Sequence, residues 1–317
     1  MEAINVDNVV KRYKNGVEAL NGLSLIVKKG EIFSLLGQNG AGKSTLINIL
    51  TTYLEPTSGT VKILGSDIYN DSNRVRKNVA CVAQKISIDT YLSLKENMMF
   101  QSKLYKIPKV EAEQRMKTLI SCFSLERYLD YSVSSYSGGV KRRLDIALNL
   151  MSNPQILFLD EPTVGMDIQS RMAMWEMMKK IRYEFGTTIF LTTHYLEEAD
   201  ELSDTICIMR DGKAVIQGTP AKLRELIKQD ILSIRFTNKN QAKNCFVELS
   251  TAINDIKLSL RDEKVLIHSK QSRENLKIIN QWLLDRKINF EGIEIAKPTL
   301  DDVFIKVTEV NGSEDIS

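Results

Sequence analysis

Short apolar runs alternate with longer segments of helical periodicity over residues 1–218. The short runs are rich in β-branched residues, which is typical of strands, whereas the longer segments carry apolar residues at helical spacing. The predicted strands are 4–10, 23–27, 31–36, 61–64, 79–82, 156–159, 188–191 and 205–209, and the predicted helices include 43–50, 110–129 and 171–183. This alternation predicts an α/β domain in which helices cover a largely parallel sheet, and the Gly and Asn turns between the first strands indicate an antiparallel addition.

The pattern changes after Gly218-Thr219-Pro220. Strand patterns at 231–236, 256–260, 265–268 and 289–296 are interleaved with helical patterns at 241–249 and 273–284, and a last helix is predicted over 299–310. The order βαββαβ is that of a small α+β module of the ferredoxin-like type. The sequence therefore predicts two domains, residues 1–220 and residues 221–317, the second an accessory domain without a chemical motif.

Composition and charge narrow the classes of function. The 317 residues are 43% hydrophobic, which is enough for a core, but only 7% aromatic, which argues against a stacking platform for single-stranded nucleic acid. The net charge of +3 is too small to indicate a nucleic-acid partner. No segment approaches the ~18 consecutive apolar residues of a membrane-spanning helix, and the first residues lack the apolar core of a signal peptide. Any membrane role is therefore expected to depend on another chain or on peripheral contact.

A glycine-rich motif stands between a predicted strand and a predicted helix. The segment Gly37-Gln38-Asn39-Gly40-Ala41-Gly42-Lys43-Ser44-Thr45 matches GxxxxGK[ST], the phosphate-binding loop of many nucleotide triphosphatases, in the context that this motif requires. Glycine lets backbone N–H groups approach phosphate oxygens, and the helix N-terminus adds its positive dipole end. We expect Lys43 to reach the β- and γ-phosphates, Ser44 to bind Mg²⁺ and Thr45 to support the phosphates from the same turn.

A second motif ends the strand 156–159 with two carboxylates, Asp160 and Glu161. Because successive side chains of a strand point to opposite faces, the two are expected to have different roles. Asp160 is expected to hold Mg²⁺ near Ser44 through water, and Glu161 to orient or deprotonate the water that attacks the γ-phosphate. An acidic strand end is common on its own, but together with the phosphate loop it predicts nucleotide hydrolysis.

Between these motifs lies Tyr136-Ser137-Gly138-Gly139-Val140-Lys141-Arg142-Arg143. It resembles the signature loop of ABC ATPases, usually written LSGGQ. The order of the phosphate loop, Gln84, the signature, Asp160-Glu161, Asp167 and His194 also matches that family. The resemblance covers residues 1 to about 220 and implies an ABC-type nucleotide-binding domain. Such a domain is a P-loop NTPase fold with a mostly parallel core sheet, an antiparallel β addition and a helical signature subdomain, and its cofactors are ATP and Mg²⁺.

The resemblance also implies roles for residues outside the two first motifs. Tyr13 would stack on adenine, Gln84 would sense Mg²⁺ and the γ-phosphate, and His194 would contact the γ-phosphate. A lone histidine is usually structural, but His194 follows the predicted strand 188–191 at the family's offset. We therefore expect His194 and Glu161 to be the catalytic side chains.

The resemblance also implies that two further groups of residues contact the other subunit of a dimer. In the family, the signature of one subunit faces the phosphate loop of its mate, so Ser137, Gly138 and Gly139 would bind the partner subunit's ATP. Gly165 and Asp167 match the loop where the two subunits meet. The chain has one complete set of motifs, so we expect it to pair with a copy of itself or with a related ATPase subunit.

The signature departs from the usual pattern at two positions. Tyr136 replaces leucine and Val140 replaces glutamine, and the valine side chain cannot form a hydrogen bond. Lys141, Arg142 and Arg143 could be read as a nucleic-acid patch, but we expect them to form the exposed side of the signature helix.

The stretch Lys297-Pro298-Thr299-Leu300-Asp301-Asp302-Val303-Phe304 resembles the ending of ATPase subunits in the daunorubicin-resistance group of exporters. This resemblance implies export of drugs or other small or amphipathic molecules by a separate membrane-embedded permease. The ATPase subunit would lie on the cytoplasmic side, at the inner face of the cell membrane. The sequence does not identify the cargo.

Three alternatives compete with a transporter subunit. ABC ATPases of translation usually carry two cassettes, and those of DNA repair carry a long coiled-coil insertion. Neither feature is present in the sequence. The second alternative is a GTP switch or a small-molecule kinase. A GTP switch would be expected to show Asn-Lys-x-Asp, which the segment Asn238-Lys239-Asn240-Gln241 lacks, and the signature loop has no place in either class. A binding module with a vestigial ATPase is disfavoured because the acidic, lysine and histidine positions are all intact.

Overall fold

The computed structural model describes residues 1–227, 230–252, 257–269 and 272–309. The chain divides into two compact units, Met1–Pro220 and Ala221–Ser317. Ile256 and Val310, the predicted ends of a strand and of the last helix, lie outside the described residues. Among the residues described, no helix combines the length and the apolar character needed to cross a bilayer.

Strands and helices alternate through the first unit. Its strands are β1 (Glu2–Arg12), β2 (Glu18–Lys28), β3 (Ile32–Leu36), β4 (Ser58–Ile63), β5 (Ser66–Asp67), β6 (Val79–Val82), β7 (Ile156–Asp160), β8 (Thr188–Thr193), β9 (Thr205–Arg210) and β10 (Lys213–Gly218). Its helices are α1 (Lys43–Leu50), α2 (Ser72–Asn78), α3 (Leu94–Leu104), α4 (Lys109–Cys122), α5 (Gly138–Leu150), α6 (Ile168–Phe185) and α7 (Leu196–Leu202).

These strands form one antiparallel and one mostly parallel sheet. The first has the order β2-β1-β4-β5, and the second has the order β10-β9-β3-β8-β7-β6 with only β10 antiparallel to its neighbour. Parallel strands end at the same edge of a sheet, and ligands of such sheets bind beyond those carboxyl ends. The ends of β3, β6, β7 and β8 lead directly into the phosphate loop, the glutamine segment, the acidic pair and the histidine.

The core of the parallel sheet fixes that edge. Every residue of β3 and of β8 is buried, as expected for strands covered on both faces. Phe190 of β8 stacks on Phe33 of β3 with ring centroids 5.1 Å apart and meets Phe158 of β7 at 5.5 Å. Aromatic contacts across three neighbouring strands hold the strand ends in register beneath the motifs.

Left-handed backbone at two residues marks the ends of one helix and one strand. The helix predicted over 110–129 ends at Cys122, because Ser124 has φ = 51°, in the left-handed region that no α-helix continues through. The strand before the acidic pair ends at Asp160, and Glu161 has φ = 46°. Glu161 therefore lies in a turn after β7 and does not continue the alternation of the strand.

The second unit is built from four strands and covering helices. After α8 (Pro220–Glu225), it contains β11 (Asp230–Arg235), α9 (Lys239–Ala252), β12 (Lys257–Arg261), β13 (Lys264–Ser269), α10 (Ser272–Asp285), β14 (Gly292–Ala296) and α11 (Leu300–Glu309). The sheet order β12-β13-β11-β14, antiparallel throughout, is that of the predicted ferredoxin-like module. The last strand begins at Gly292, three residues later than predicted.

Candidate active site

The phosphate loop follows β3 and requires glycine at two positions. Gly42 has φ = 106°, and a Cβ there would lie 2.4 Å from the carbonyl oxygen of Ala19. A Cβ at Gly37 would lie 2.7 Å from the carbonyl oxygen of Met209. Any side chain at either position would clash with backbone, so the loop can take this path only with glycine.

Lys43 is the first residue of α1, and its side chain turns back over the loop. It is 5% exposed, and Nζ donates hydrogen bonds to the carbonyl oxygens of Gly37 (2.8 Å) and Gln38 (3.2 Å). The exposed rim of the loop consists of Gln38, Asn39 and Gly40, while Ala41 is buried. The lysine charge is thus held at the centre of the loop, where it can face phosphate oxygens.

The first turn of α1 also carries the two hydroxyl side chains. Ser44 is exposed, and the Thr45 hydroxyl lies 3.2 Å from the hydroxyl of Tyr13. Backbone N–H groups in a first helical turn have no partner within the helix, and they make this end a binding site for anions. Tyr13 therefore lies beside the phosphate loop, as its proposed contact with a nucleotide base requires.

Glu161 lies between the lysine and the histidine. Its Oε1 is 3.5 Å from Nζ of Lys43 and 3.4 Å from Nδ1 of His194. The backbone N–H of Glu161 donates to the Thr192 hydroxyl at 3.0 Å, and that hydroxyl donates to Oδ1 of Asp160 at 2.6 Å. The structure thus brings together three of the predicted residues, and adds Thr192, which sequence reasoning missed. The only signal for Thr192 was its place two residues before His194.

Residues of the remaining motifs line a cleft of about 300 Å³. It is lined by Gln84, Ser137, Gly138, Gly139, Glu161, Gly165 and Asp167, among others. Lys43 and Ser44 are not among the described residues that line it. Glu161 is therefore the predicted residue that belongs to both groups: the cluster at the phosphate loop and the cleft at the signature.

Helix caps shape the walls of this cleft. Ser137 caps α5, and its hydroxyl accepts a hydrogen bond from the N–H of Val140 at 3.4 Å. Asp167 caps α6, and its carboxylate accepts hydrogen bonds from the Ser170 N–H (2.9 Å) and hydroxyl (2.7 Å). The bonds from Ser170 hold the pKa of the Asp167 carboxyl below its usual value. Two helix N-termini thus open toward the cleft.

The expectation that Lys141, Arg142 and Arg143 line an exposed helix face is wrong. Lys141 and Arg143 are half-buried, and Arg142 is 3% exposed. Arg143 donates to the carbonyl oxygen of Phe123 at 2.9 Å. The sequence of α5 does not show that backbone carbonyls from other segments would accept hydrogen bonds from a buried arginine.

The donor set suits Mg²⁺. Within the described residues, no three His, Cys, Asp or Glu side chains lie close enough to hold a metal by themselves. Mg²⁺ usually keeps several waters and binds through one or two protein oxygens plus substrate phosphates. The Ser44 hydroxyl, the Gln84 amide oxygen and the Asp160 carboxylate are oxygen donors of the required kind, so a magnesium ion accompanying a nucleotide fits these residues.

A sequence model described as ABC transporter matches residues 20–164. The chain is 32% identical over 308 residues to the daunorubicin/doxorubicin resistance ATP-binding protein DrrA of Streptomyces peucetius, with 96% of this chain and 92% of that protein covered. The chain belongs to the family of ABC transporter ATP-binding proteins. The linearmycin resistance ATP-binding protein LnrL of Bacillus subtilis (strain 168) is 30% identical over 306 residues, with 96% and 98% covered.

Solved structures of this ABC family agree. A cbiO1 subunit from Clostridium perfringens, part of the ABC transporter complex cbiONQ, superposes with a TM-score of 0.67 at 27% identity, covering 72% of this chain and 93% of that one. A dimeric ATP-binding cassette in a post-hydrolysis state, bound to ADP and Pi, gives a TM-score of 0.60 at 28% identity, covering 68% and 98%. The predicted ABC fold and the predicted ATPase class are therefore confirmed.

Proposed function

We propose that this chain powers an ABC exporter by closing on ATP as a dimer, with a copy of itself or with a related ATPase subunit. The observation that carries the proposal is the position of Glu161, which contacts Lys43 and His194 and also lines the signature cleft. A carboxylate in that place can act on a γ-phosphate bound by its own loop while a partner's signature completes the site.

Each side chain has a defined task in this scheme. Lys43 neutralises phosphate charge, and the N–H groups of residues 37–45 bind phosphate oxygens. Tyr13 stacks on the adenine, and Ser137 with Gly138 and Gly139 grips the partner's γ-phosphate. Ser44, Gln84 and Asp160 would hold Mg²⁺, which when bound would neutralise charge at the β- and γ-phosphates. Gly165 and Asp167 lie where the two subunits meet.

Hydrolysis follows from the contacts of Glu161. Its carboxylate orients a water and takes up its proton as the water oxygen bonds to the γ-phosphorus. The bond from the γ-phosphorus to the bridging oxygen breaks, and ADP leaves with that electron pair. His194, 3.4 Å from the same carboxylate oxygen, fixes its orientation and contacts the γ-phosphate. Loss of phosphate removes the contacts shared by two subunits, so the dimer opens.

The relatives support a cargo class for the permease partner. DrrA and LnrL are resistance proteins for daunorubicin/doxorubicin and for linearmycin, and both match this chain over 96% of its length. We infer export of drug-like amphipathic molecules by a separate permease at the inner face of the membrane, with residues 221–317 as an accessory domain. Co-expression with a separate permease subunit of the same exporter should raise drug tolerance, and Lys43→Ala should abolish that gain. An equal gain with Lys43→Ala would contradict export driven by this subunit.

The ATPase dimer is tested with Glu161→Gln. This change removes the proton acceptor but keeps the shape, so turnover should fall by roughly 100- to 10,000-fold while ATP binding persists. With ATP and Mg²⁺, light scattering should show a stable dimer. Glu197→Gln alters an exposed glutamate on α7 and is the control, expected to turn over normally. A Glu161→Gln protein that stays monomeric in saturating ATP would overturn the proposal.

A further inference from the structure

Arg142 of the signature helix α5 binds the two strand ends that carry active-site residues. Its Nη1 donates to the carbonyl oxygen of Ala83 at 2.5 Å, immediately before Gln84. Its Nη2 donates to the carbonyl of Asp160 at 3.3 Å, and its Nε to the carbonyl of Pro162 at 3.3 Å. These two carbonyls flank Glu161. One guanidinium therefore spans the segments that position Gln84 and Glu161.

Asp145, one turn further along α5, forms an ion pair with the guanidinium of Arg142. Its Oδ2 lies 3.5 Å from Nη1 of Arg142, and both side chains are 3% exposed. Apart from that contact, Oδ2 has no hydrogen-bond partner among the described residues. The backbone N–H of Ser87 also interacts with the Asp145 carboxylate. The glutamine segment is thus held to α5 at both ends, through Ala83 and Ser87.

Stability alone is a poor explanation for this pair. Moving two charges out of water costs about as much as their attraction returns, and buried ion pairs are often replaceable by apolar residues without loss of stability. What an arginine offers and an apolar side chain does not is a rigid fork of donors that fixes several acceptors at once. The fork here binds three carbonyls at the carboxyl ends of two strands, β6 and β7.

We propose that Arg142, oriented by Asp145, is a positioning residue that couples the two ATP sites of the dimer. Ser137 caps the helix that carries Arg142 and would grip the partner's ATP. The carbonyls that Arg142 binds position Gln84 and Glu161 for this subunit's ATP. Binding of ATP at the partner's site therefore sets the geometry of hydrolysis at this one. This coupling rests on the proposed function, because it needs the two-subunit arrangement.

The test compares four variants of the full chain. Arg142→Met removes the fork, and Arg142→Lys keeps the charge but cannot reach three carbonyls. The double variant Arg142→Met with Asp145→Asn removes both charges and guards against misfolding caused by an unpaired buried carboxylate. Lys141→Met, on the same helix, removes an ammonium group whose hydrogen bond among the described residues goes to the Ser134 carbonyl at 3.2 Å, and it serves as the control.

Steady-state ATPase assays measure the coupling. Wild type should show a Hill coefficient for ATP above 1 and up to about 2 for two coupled sites. Arg142→Met, Arg142→Lys and the double variant should lower kcat by roughly 10- to 100-fold and bring the Hill coefficient to about 1. At protein concentrations too low for dimer formation, these variants should bind mant-ATP with the same affinity as wild type. Lys141→Met should match wild type. Wild-type kcat and cooperativity in Arg142→Met, or an equal loss in Lys141→Met, would overturn the inference.

Hydrogen exchange separates this inference from the proposed function. Amides of residues 83–88 should exchange about tenfold faster in Arg142→Met and in the double variant than in wild type or Lys141→Met, without nucleotide. A wild type that fails to hydrolyse ATP would defeat the proposed function, yet faster exchange would still establish the positioning role. Unchanged exchange in an active protein would defeat the positioning role alone.

Discussion

Replacing Asp145 by asparagine should remove a pH dependence from the stability of the first unit. Burial raises the pKa of the Asp145 carboxyl from 3.8 to about 6, although Arg142 and the Ser87 N–H oppose the rise. Burial also lowers the pKa of Arg142, so desolvation outweighs the attraction within the pair. The nearby Cys81 thiol, whose pKa burial raises to about 12, stays neutral throughout this range.

The size and sign follow from linkage. A carboxyl whose pKa is raised in the folded state binds its proton more tightly there than in the unfolded chain, so folding is favoured most below pH 3.8. As pH rises from 3.8 to about 6, this contribution is lost, and above that window the loss is constant. The rise in the pKa of Asp145 from 3.8 to about 6 corresponds to roughly 3 kcal/mol in the free energy of unfolding. The Asp145→Asn variant has no titrating proton at this position, so its stability would show none of this change.

Urea unfolding at several pH values across the window measures this difference. Trp282→Phe in every protein removes the second unit's tryptophan, so that fluorescence reports Trp175 in α6. The unfolding free energy of wild type minus that of Asp145→Asn should fall by roughly 3 kcal/mol from about pH 4 to about pH 7. Asp130→Asn, at an exposed position, is the matched control. A difference that is constant or grows with pH would refute the assignment of a buried, protonatable carboxyl.

Two further substitutions test the phosphate contacts. Lys43→Ala should weaken ATP binding by roughly 30- to 100-fold, since a charge-assisted contact worth about 2–3 kcal/mol is lost; calorimetry measures this, and an unchanged affinity would contradict the phosphate-loop role. Ser137→Arg should leave ATP binding by the monomer intact but block turnover and dimer formation, because a long cation would fill the signature cleft; normal turnover, measured as phosphate release, would exclude a signature that acts in trans.

The parts of the site that the sequence predicted well are those whose geometry is local. The residues of the loop 37–45 are contiguous in the sequence, and the glycines on which its path depends are part of the recognisable motif. Gln84, Glu161 and His194 each follow a strand, and the ends of neighbouring parallel strands necessarily meet. The alternation of strands and helices predicted the parallel sheet, whereas the roles of Gln84 and His194 came from the resemblance to ABC ATPases.

What the sequence did not predict depends on contacts between distant segments. Arg142 reaches acceptors at Ala83, Asp160 and Pro162, which no periodicity within α5 could announce. Apolar spacing marks which helix face meets the core, but it treats every arginine as solvent-exposed. The end of α4 was missed for a related reason, since a left-handed backbone at a serine has no strong sequence signal.

The departures in the signature have a structural explanation. Tyr136 is 5% exposed, and its hydroxyl donates to the carbonyl oxygens of Tyr128 and Tyr131, while Val140 is 4% exposed within the core. Both positions thus face the interior of the unit. Gly138 and Gly139 line the cleft, and the space beside the Cα of Gly138 is open, with no heavy atom within 4 Å of the place where a Cβ would be. A valine that lacks a hydrogen-bonding side chain therefore changes packing beneath the loop. Gly138 and Gly139 remain in the lining of the cleft.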